Sequence, residues 1–595
     1  MNNLSKNISG FDGANPFGDY QARNFSDEKV CSEFCPTSTF WSLFNAQHEI
    51  LLGTRGSGKT FLLKMMRYSM LKHIEDEKAK KIISDKCFFS LYVPMHLEFI
   101  ASYVTTNLSD EQQIELFKVA FNCLLAQSLL FEIQEFINSE YDDNQKYKIN
   151  IQLSNQINNM WFDGSQLSSN ILSEISKKVN KVFYSLDNTS VINDAKIPSV
   201  FKNHICSPLL IVKDIVESVL GFTNSLWIIC IDEAEFLNKN LLKCINSFFR
   251  SDTNGIAFKV ATLPFYHNTL ETLRDDIFVS EGNDFNYRVV DMDYNSDDFE
   301  KVTDRICYNR LHSKIVEMPL EGALQSFLGK IGEDDYIDYY RLQKGKAESS
   351  YEYIESKIVS NFSERKKKGS QNYPNKRKTI YDKYAPIFFV REMYKIAQNG
   401  NSIPAWFCGV KTVRKVSQGN PRLFVHLMND LFEKAKKATL SPKAQHKVIC
   451  DFSKSICNAT MALESQGPII YNALCSIAET LHNKTHNGPL VTVSSAFVLN
   501  YSEEDNFEMN KKWIELAIAH SRIIVDENVK KGNLSPETKL CLAQVFSVKY
   551  WLPFRQDTPT SINISNVRKT NTYLDDTKAK NKLSTLSDDG QLKFF

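Results

Sequence analysis

The sequence predicts an α/β protein in which a parallel sheet with helices on both faces is followed by mostly helical domains. Short apolar segments typical of buried strands lie at residues 49–52, 87–93, 226–231, 256–262 and 285–291. Helical patterns separate them, and strands that alternate with helices are typical of a parallel sheet. The chain has 595 residues, enough for about three or four domains.

Composition indicates a globular protein and excludes several classes. Hydrophobic residues make up 43% and aromatic residues 12%, so general disorder is excluded. The net charge is +1, so the overall charge does not favour binding to nucleic acid or to anionic membranes. The best candidate membrane span, residues 209–222, is interrupted by Lys213, Asp214 and Glu217, and the start lacks the apolar stretch of a secretory signal. We therefore expect no membrane association.

The cysteines indicate a reducing compartment. Thirteen are scattered along the chain, several of them in apolar segments, such as Cys123 and Cys230. This pattern suits reduced thiols in a cytoplasmic protein. Cys31 and Cys35 form a close pair near a loop, but no second pair at ligand spacing accompanies them, so we expect no zinc site there.

The first half of the chain has recognisable helix signals around the strands. Ser26 precedes Asp27 in a helix-start pattern, and Ser109 with Gln112 forms a capping-box pattern for a long helix over 109–140. A helix over residues 60–73 follows the first strand and its glycine-rich loop. Helical patterns at about 108–200 separate the second and third strands.

The second half is predominantly helical. Residues 297–445 carry helical patterns that are interrupted by a basic, turn-rich insertion at about 326–378. Residues 446–556 read as helices, including one over 506–520, followed by short strands at 522–525 and 539–542. Helices followed by a small hairpin predict a winged-helix-like domain. Residues 557–595 are polar and are expected to form a disordered tail.

Residues 53–60 match the phosphate-binding pattern G-x-x-x-x-G-K-[ST] in full. Glycines let the N–H groups of such a loop turn inward around phosphates. Lys59 would reach the β- and γ-phosphates, and the Thr60 hydroxyl would ligate Mg²⁺. A strand before the loop and an amphipathic helix after it argue against a chance glycine loop. The residues expected to bind the nucleotide are Gly53, Thr54, Arg55, Gly56, Ser57, Gly58, Lys59, Thr60 and Phe61.

The apolar segment 226–231 leads directly into Asp232 and Glu233. Asp232 would hold Mg²⁺, and Glu233 would polarise the water that attacks the γ-phosphate. Alone, an acidic strand end is explained more simply by exposure to solvent. Together with the loop it favours a site for ATP and Mg²⁺, with Thr60 and Asp232 as the metal-binding residues.

The loop at 53–60, the carboxylates at 232–235 and the turn Gly419-Asn420-Pro421-Arg422 together resemble the initiator branch of AAA+ ATPases. That branch includes origin-recognition and archaeal initiator ATPases and the related STAND signalling ATPases. Residues 15–17, 22–28 and 36–37 are similar to bacterial origin-recognition-like ATPases, which occur in mobile-element operons and presumed phage-defence loci. The resemblance implies an AAA+ P-loop core at 46–296 with a helical insertion at about 108–200, a helical lid at 297–445 and a C-terminal winged-helix-like domain.

Further roles are implied by this resemblance alone. Thr262 matches sensor 1, although a strand-end threonine that serves only as a turn residue explains the position equally well. Arg422 matches the sensor 2 arginine. Arg274 and Arg250 are both candidates for an arginine finger, and neither lies in a pattern that matches the family residue by residue. A finger that acts in trans would imply a homo-oligomer, which the sequence leaves open. Residues 1–45 would contribute to the nucleotide pocket, with the adenine placed near residues 23–26 or 36–37.

Two features bear on double-stranded DNA, and both have an alternative explanation. The densest basic cluster comprises Arg365, Lys366, Lys367, Lys368, Lys376, Arg377 and Lys378. Charge runs are usually solvated loops, and we favour that interpretation of the cluster. The helix at 506–520 carries Lys511 and Lys512, but Glu508 and Glu515 on the same helix would repel phosphates. A domain of this kind would also suit a protein partner.

We therefore expect an Mg²⁺-dependent, ATP-hydrolysing AAA+ ATPase. It would act as a nucleotide switch for DNA-associated assembly or for control of a protein effector, with bacterial anti-phage defence as one setting. The alternative is a STAND-like signalling scaffold that binds ATP and a protein partner without DNA. A degenerate ATP binder is disfavoured because Lys59, Asp232 and Glu233 are all present. His48, His96 and His426 are expected to be isolated.

Overall fold

The computed structural model describes residues 15–18, 26–97, 108–167, 169, 171–187, 197–223, 225–251, 255–313, 315, 318–329, 377–398, 406–437, 440–487, 493–503 and 506–569. The chain divides into two compact units. The first unit comprises Tyr20–Met292 and Asn420–Arg422, and the second comprises Met1–Asp19, Asp293–Gly419 and Leu423–Phe595. Apart from residues 420–422, the ranges expected from the sequence to form the lid and the C-terminal domain fall in one unit.

The first unit is built on a five-stranded sheet in which every neighbouring pair is parallel. The strand order is β2-β3-β4-β1-β5. The strands are β1 Glu49–Leu52, β2 Phe88–Pro94, β3 Leu226–Asp232, β4 Ile256–Thr262 and β5 Asn286–Val289. All five predicted strands are present, and the predicted parallel sheet is confirmed. The carboxyl ends of β1, β3 and β4 consequently meet at one edge.

Helices cover both faces of this sheet. In β3, Trp227 and Ile229 belong to one buried cluster, and Ile228 and Cys230 belong to the other, as the period of two in a strand requires. Helices α1 to α3 and α5 contribute to the second cluster, and α6 to α11 contribute to the first. The helices are α1 Asp27–Glu33, α2 Ser38–Ser42, α3 Lys59–Met65, α4 Tyr68–Leu71, α5 Glu77–Ser84, α6 Asp110–Glu140, α7 Asp143–Phe162, α8 Leu172–Tyr184, α9 Ser199–Lys202, α10 Ser207–Leu220 and α11 Lys239–Phe249, with 3₁₀ turns at Ser185–Asp187 and Ala234–Phe236.

Helix α6 is the longest element of the predicted insertion. Its capping box is present, since Gln112 N donates to Ser109 Oγ and Ser109 N donates to Gln112 Oε1. Among the described residues, α6 is the one helix long and apolar enough to cross a membrane. Phe117, Leu125 and Ile133 of α6 are nevertheless fully buried against the sheet, as expected for a core helix.

The helix predicted over residues 60–73 is broken in two. Helix α3 ends at Met65 and α4 begins at Tyr68. Arg67 is extended, with φ −60° and ψ 145°, and its guanidinium lies 3.1 Å from the Asp27 carboxylate. The chain therefore turns at Arg67, which forms an ion pair with Asp27.

The second unit is mainly helical and contains a smaller sheet. Its sheet has the order β7-β8-β6-β9, with β6 antiparallel to β8 and parallel to β9. The strands are β6 Ala496–Asn500, β7 Ile523–Ile524, β8 Leu540–Leu542 and β9 Thr560–Asn563. The helices are α12 Asp297–Leu311, α13 Ala323–Leu328, α14 Arg377–Gln398, α15 Gly409–Ser417, α16 Pro421–Lys437 (whose first residues belong to the first unit), α17 Pro442–Ala459, α18 Gly467–His486, α19 Phe507–Ala519, α20 Glu527–Lys530, α21 Gln544–Lys549 and α22 Ile564–Lys569, with 3₁₀ turns at Thr460–Ala462 and Glu464–Gln466.

Two strands of this sheet, β6 and β9, were not predicted. Strand β9 extends the sheet past residue 557, so the expected tail begins too early. Thr560–Asn563 has a single buried apolar residue, Ile562, which gives the sequence no apolar run to signal a strand. Residues 570–595 lie outside the described part of the chain.

Helix α19 and strands β7 and β8 confirm the predicted helix and hairpin. The second half of α19 is buried, including Leu516 and Ile518, whereas Met509 and Lys512 in its first half are exposed. All thirteen cysteines of the chain are free thiols.

Candidate nucleotide-binding site

The loop between β1 and α3 has backbone angles that depend on glycine. Gly56 and Gly58 have φ values of 93° and 99°, in the left-handed region that side chains disfavour. A Cβ at Gly56 would also lie 2.7 Å from Asn420 Oδ1 and 2.8 Å from Arg422 Cβ. The loop is therefore tightly packed at its tip, and glycine is needed there for two independent reasons.

The entry of the loop is anchored by a carboxylate from β5. Asp291, two residues after β5, accepts hydrogen bonds from Thr54 N at 2.9 Å and from Thr54 Oγ1 at 2.8 Å. Lys59 is buried, and its Nζ donates to Gly53 O at 2.6 Å and Thr54 O at 3.3 Å. Burial lowers the pKa of Lys59, while nearby carboxylates, Glu235 foremost, act in the opposite direction.

Thr60 and Asp232, the predicted metal-binding pair, lie side by side. Asp232 ends β3 and is 2% exposed. Its carboxylate accepts a hydrogen bond from Tyr92 Oη at 2.8 Å, and the Thr60 hydroxyl lies close to it. Burial raises the pKa of Asp232, and its interactions with Thr60 and Tyr92 oppose the rise. A hydroxyl beside a carboxylate offers the oxygen ligands that Mg²⁺ prefers.

Glu233 occupies a turn directly after β3. Its φ of 58° and ψ of 34° are left-handed, and its N–H donates to Asp232 Oδ1 at 3.0 Å. Its Oε2 lies 3.2 Å from His96 Nδ1. This hydrogen bond raises the pKa of His96. The expectation that His96 is isolated was therefore wrong.

Three buried polar atoms around the loop have no hydrogen-bond partner within the described residues. They are Ser57 Oγ, Thr262 Oγ1 and Glu235 Oε2. Thr262 ends β4, and its backbone oxygen accepts from Gly53 N at 3.3 Å, so the residue is adjacent to the loop. An unsatisfied buried polar group costs about 1–3 kcal/mol. The two hydroxyls are groups that a polar ligand would satisfy.

The turn before α16 packs on the tip of the loop. Asn420 Nδ2 donates to Arg55 O at 2.9 Å. Arg422 N donates to Asn420 Oδ1 at 3.1 Å and to Gly56 O at 3.4 Å. The positive charge of Arg422 contributes to the lowered pKa of Lys59. The structure therefore brings the predicted sensor 2 arginine to the phosphate-binding loop.

These residues fit ATP with Mg²⁺. The left-handed glycines, the unpaired Ser57 and Thr262 hydroxyls and the Thr60–Asp232 pair surround one loop. Lys59 and Arg422 supply positive charge beside it. The donor set is thus suited to a phosphate chain with a divalent cation. Phe61, by contrast, packs its side chain against the buried cluster beneath the sheet.

The two arginine-finger candidates differ in their contacts. Arg250 Nη1 lies 3.0 Å and 3.1 Å from the two carboxylate oxygens of Asp284. Arg274 is exposed, on a loop where Glu271 and Phe278 form an antiparallel bridge. Arg250 is therefore engaged within its own unit. No side-chain partner is found for Arg274 among the described residues.

Other predicted residues are not brought to the loop. Arg23 and the basic residues 365–376 lie outside the described residues, as do the side chains of Arg377 and Lys378. Ser26 caps α1 and Thr37 caps α2, so each side chain has a local structural role. His48 is half-buried and accepts a hydrogen bond from Phe258 N, and desolvation lowers its pKa to about 4.

Sequence reasoning missed several residues of the site. Tyr92, Asp291 and Asn420 contact the loop or Asp232, and none was assigned a role. Asp291 and His96 do follow strands β5 and β2, so their positions at strand ends were a usable signal. Asn420 lies inside the turn already noted for Arg422.

The comparisons with known proteins agree with this geometry. The family model described as ORC-CDC6-like matches residues 15–562, which is most of the chain. No curated protein matches it significantly. The match includes the loop, both carboxylates after β3 and the turn before α16. The chain is therefore a member of the ORC-CDC6-like family of AAA+ proteins.

Proposed function

We propose that this protein binds ATP with Mg²⁺ and hydrolyses it as a nucleotide switch. The observation that carries the proposal is the pairing of the Thr60 hydroxyl with the buried Asp232 carboxylate, next to a loop with unpaired Ser57 and a buried Lys59. Family membership supports the same activity.

The residues divide into binding and catalytic roles. The N–H groups of residues 53–60 and the Lys59 ammonium bind phosphate oxygens, and Thr60 and Asp232 hold the cation. When bound, Mg²⁺ neutralises charge that develops on the transferred phosphoryl group. Glu233 accepts a proton from the attacking water as general base. Thr262 and Arg422 hydrogen-bond to groups near the γ-phosphate, so their contacts differ between ATP and ADP.

The difference between ATP and ADP would be transmitted through Arg422. The turn that carries it belongs to the first unit, while Gly419 and Leu423 on either side belong to the second. A contact that Arg422 makes only with the γ-phosphate would therefore act on residues 420–422. In this short segment the chain leaves the second unit, enters the first and then returns to the second. Switches of this kind bias an element with two arrangements.

The output is proposed to be DNA-associated assembly, with control of a protein effector as the alternative. Helix α19 exposes Lys512, and the strands β7 and β8 that follow it suit a winged-helix-like domain. The protein-partner alternative is favoured by the exposed Glu508 and Met509 on the same half of α19, since a carboxylate would repel DNA phosphates.

Steady-state ATP hydrolysis tests the function and separates the two outputs. Lys59→Ala should abolish nucleotide binding, whereas Glu233→Gln should retain ATP and lose at least about 100-fold in hydrolysis, because general-base catalysis contributes that much. Equal turnover by Glu233→Gln and the unaltered protein would refute the assignment of the base. Glu111→Gln, an exposed carboxylate at the start of α6, is the matched control.

The same assay is repeated with double-stranded DNA at low and moderate salt. Stimulation that decreases with salt would support DNA-associated assembly, because phosphate contacts release counterions. Turnover that is indifferent to DNA at both salt concentrations would favour the protein-partner alternative.

A further inference from the structure

We infer that Asn420 is a positioning residue for the nucleotide, because its side-chain amide holds the tip of the phosphate-binding loop. The inference rests on the proposed nucleotide binding and deepens it. The resemblance to AAA+ proteins assigns a role to Arg422, whereas Asn420 has none.

Both the amino group and the carbonyl oxygen of the Asn420 side chain form hydrogen bonds. Nδ2 donates to Arg55 O at 2.9 Å, and Oδ1 accepts from Arg422 N at 3.1 Å. Asn420 is 3% exposed, so water does not readily replace either hydrogen bond. A hydrogen bond left unmade at a buried site is unfavourable, because the polar group stays desolvated without a partner. The amide thus joins the loop to the turn that carries the sensor arginine.

The hydrogen bond from Asn420 Nδ2 to Arg55 O also restrains a backbone N–H group of the phosphate-binding loop. A trans peptide is planar, and its C=O and N–H point in opposite directions. Holding Arg55 O toward Asn420 therefore fixes the N–H of Gly56 in the opposite direction. Gly56 is free to take this orientation because its φ of 93° is accessible to glycine. Without Asn420, the peptide between Arg55 and Gly56 loses this restraint.

Asn420 complements the restraint at the other end of the loop. Asp291 binds Thr54 N and Thr54 Oγ1 at the entry, and Asn420 binds Arg55 O at the tip. The Asn420 side chain packs closely against Gly56: a Cβ added at Gly56 would lie only 2.7 Å from Asn420 Oδ1. Asparagine is suited to the position because one planar group supplies both a donor and an acceptor.

The measurement that tests the inference is the dissociation rate of a fluorescent ADP analogue from the full-length protein. ADP carries the phosphates that the loop binds and lacks the γ-phosphate. Asn420→Ala should accelerate ADP dissociation about tenfold, the factor that corresponds to about 1.4 kcal/mol. Arg422→Ala should leave ADP dissociation within about twofold and accelerate dissociation of a non-hydrolysable ATP analogue. Asn138→Ala, an exposed asparagine on α6, is the control for the loss of an amide.

A second variant separates the loop bond from the turn bond. Asn420→Asp keeps an oxygen that accepts from Arg422 N and loses the donor to Arg55 O. ADP dissociation from Asn420→Asp should be accelerated as in Asn420→Ala. Amide hydrogen exchange over residues 53–60 should rise in both variants while exchange in α6 stays unchanged. In hydrolysis, KM for ATP should rise in Asn420→Ala with kcat nearly unchanged.

The outcomes distinguish this inference from the proposed function. If the unaltered protein binds neither ADP nor the ATP analogue, both fail. If it binds them and Asn420→Asp behaves as the unaltered protein, the positioning role is overturned and the proposed function stands. A rise in hydrogen exchange throughout the first unit would also overturn the inference, since Asn420 would then support overall stability.

Discussion

The contact between Glu233 and His96 has consequences for the pH dependence of hydrolysis. Glu233 Oε2 lies 3.2 Å from His96 Nδ1, and this hydrogen bond raises the pKa of His96 above its usual value near 6.5. Below the raised pKa, His96 is protonated and its charge stabilises the Glu233 carboxylate. A carboxylate stabilised in this way is a weaker base.

We therefore expect hydrolysis to increase as the pH rises through the pKa of His96. His96→Gln keeps a hydrogen-bond donor and removes the titration, so the increase near neutral pH should disappear. The measurement is kcat against pH from 5.5 to 9 (a range chosen about the usual histidine pKa). His73→Gln, which alters an exposed histidine, should keep the profile of the unaltered protein. An unchanged profile in His96→Gln would contradict the prediction.

At the residue scale, the sequence was informative where residue type and local spacing coincide. Lys59, Thr60 and Asp232 could be identified because a glycine loop follows one strand and a carboxylate ends another. The contacts that Asp291 makes with Thr54 and Asn420 makes with Arg55 could not be predicted, because they span 237 and 365 residues of chain. Such contacts depend on strand order and on the path of the chain between units, which local patterns do not specify.

At the scale of elements, the inserted helix α6 is tied to the helices that follow the nucleotide loop. Glu132 of α6 is fully buried. Its carboxylate accepts hydrogen bonds from Ser69 N and Ser69 Oγ, both at 2.9 Å, and lies 3.8 Å from Arg67 Nη1. Since Ser69 is in α4, the insertion braces the segment directly behind α3.

Glu132→Ala should therefore destabilise the first unit by about 2–4 kcal/mol, because it leaves the Ser69 donors and the Arg67 charge without their buried partner. Urea unfolding followed by tryptophan fluorescence measures the change. Glu135→Ala on the same helix is the matched control: Glu135 pairs with Lys72 at 3.1 Å at a partly exposed site, and its loss should cost less than about 1 kcal/mol. Equal effects of the two variants would contradict the argument.

The elements that sequence reasoning missed or misjudged share a cause. Strands β1 to β4 were found because each has a largely apolar run, whereas β5 was predicted at residues 285–291, where apolar and polar residues are mixed. Strand β9 has one buried side chain, Ile562, and exists through its backbone bonds to β6. The break between α3 and α4 lies at Arg67, whose partner Asp27 is 40 residues earlier in the chain. Both features involve residues that are far apart in the sequence.

For the whole molecule, the exposed loop with Arg274 indicates how copies of the chain would associate. Leu270, Leu273 and Phe278 on the same loop are exposed, and apolar side chains around an arginine are typical of interface centres. Arg250, the other candidate, is bound to Asp284. We therefore predict that Arg274, rather than Arg250, acts on the nucleotide site of a second copy.

An arginine that acts on a neighbouring subunit can be tested by mixing two inactive variants. Lys59→Ala has a defective pocket and an intact Arg274, whereas Arg274→Ala has an intact pocket and no finger. Each variant alone should hydrolyse ATP at least about 100-fold more slowly than the unaltered protein. For Arg274→Ala the reason is that an arginine finger contributes about 10³–10⁵ in rate. An equal mixture should regain part of the activity, because pockets of Arg274→Ala then face Arg274 of the other variant.

The control mixture replaces Arg274→Ala with Glu233→Gln, so that neither variant in the mixture has an intact catalytic pocket. If the first mixture stays as inactive as the control at every protein concentration, Arg274 does not act between subunits.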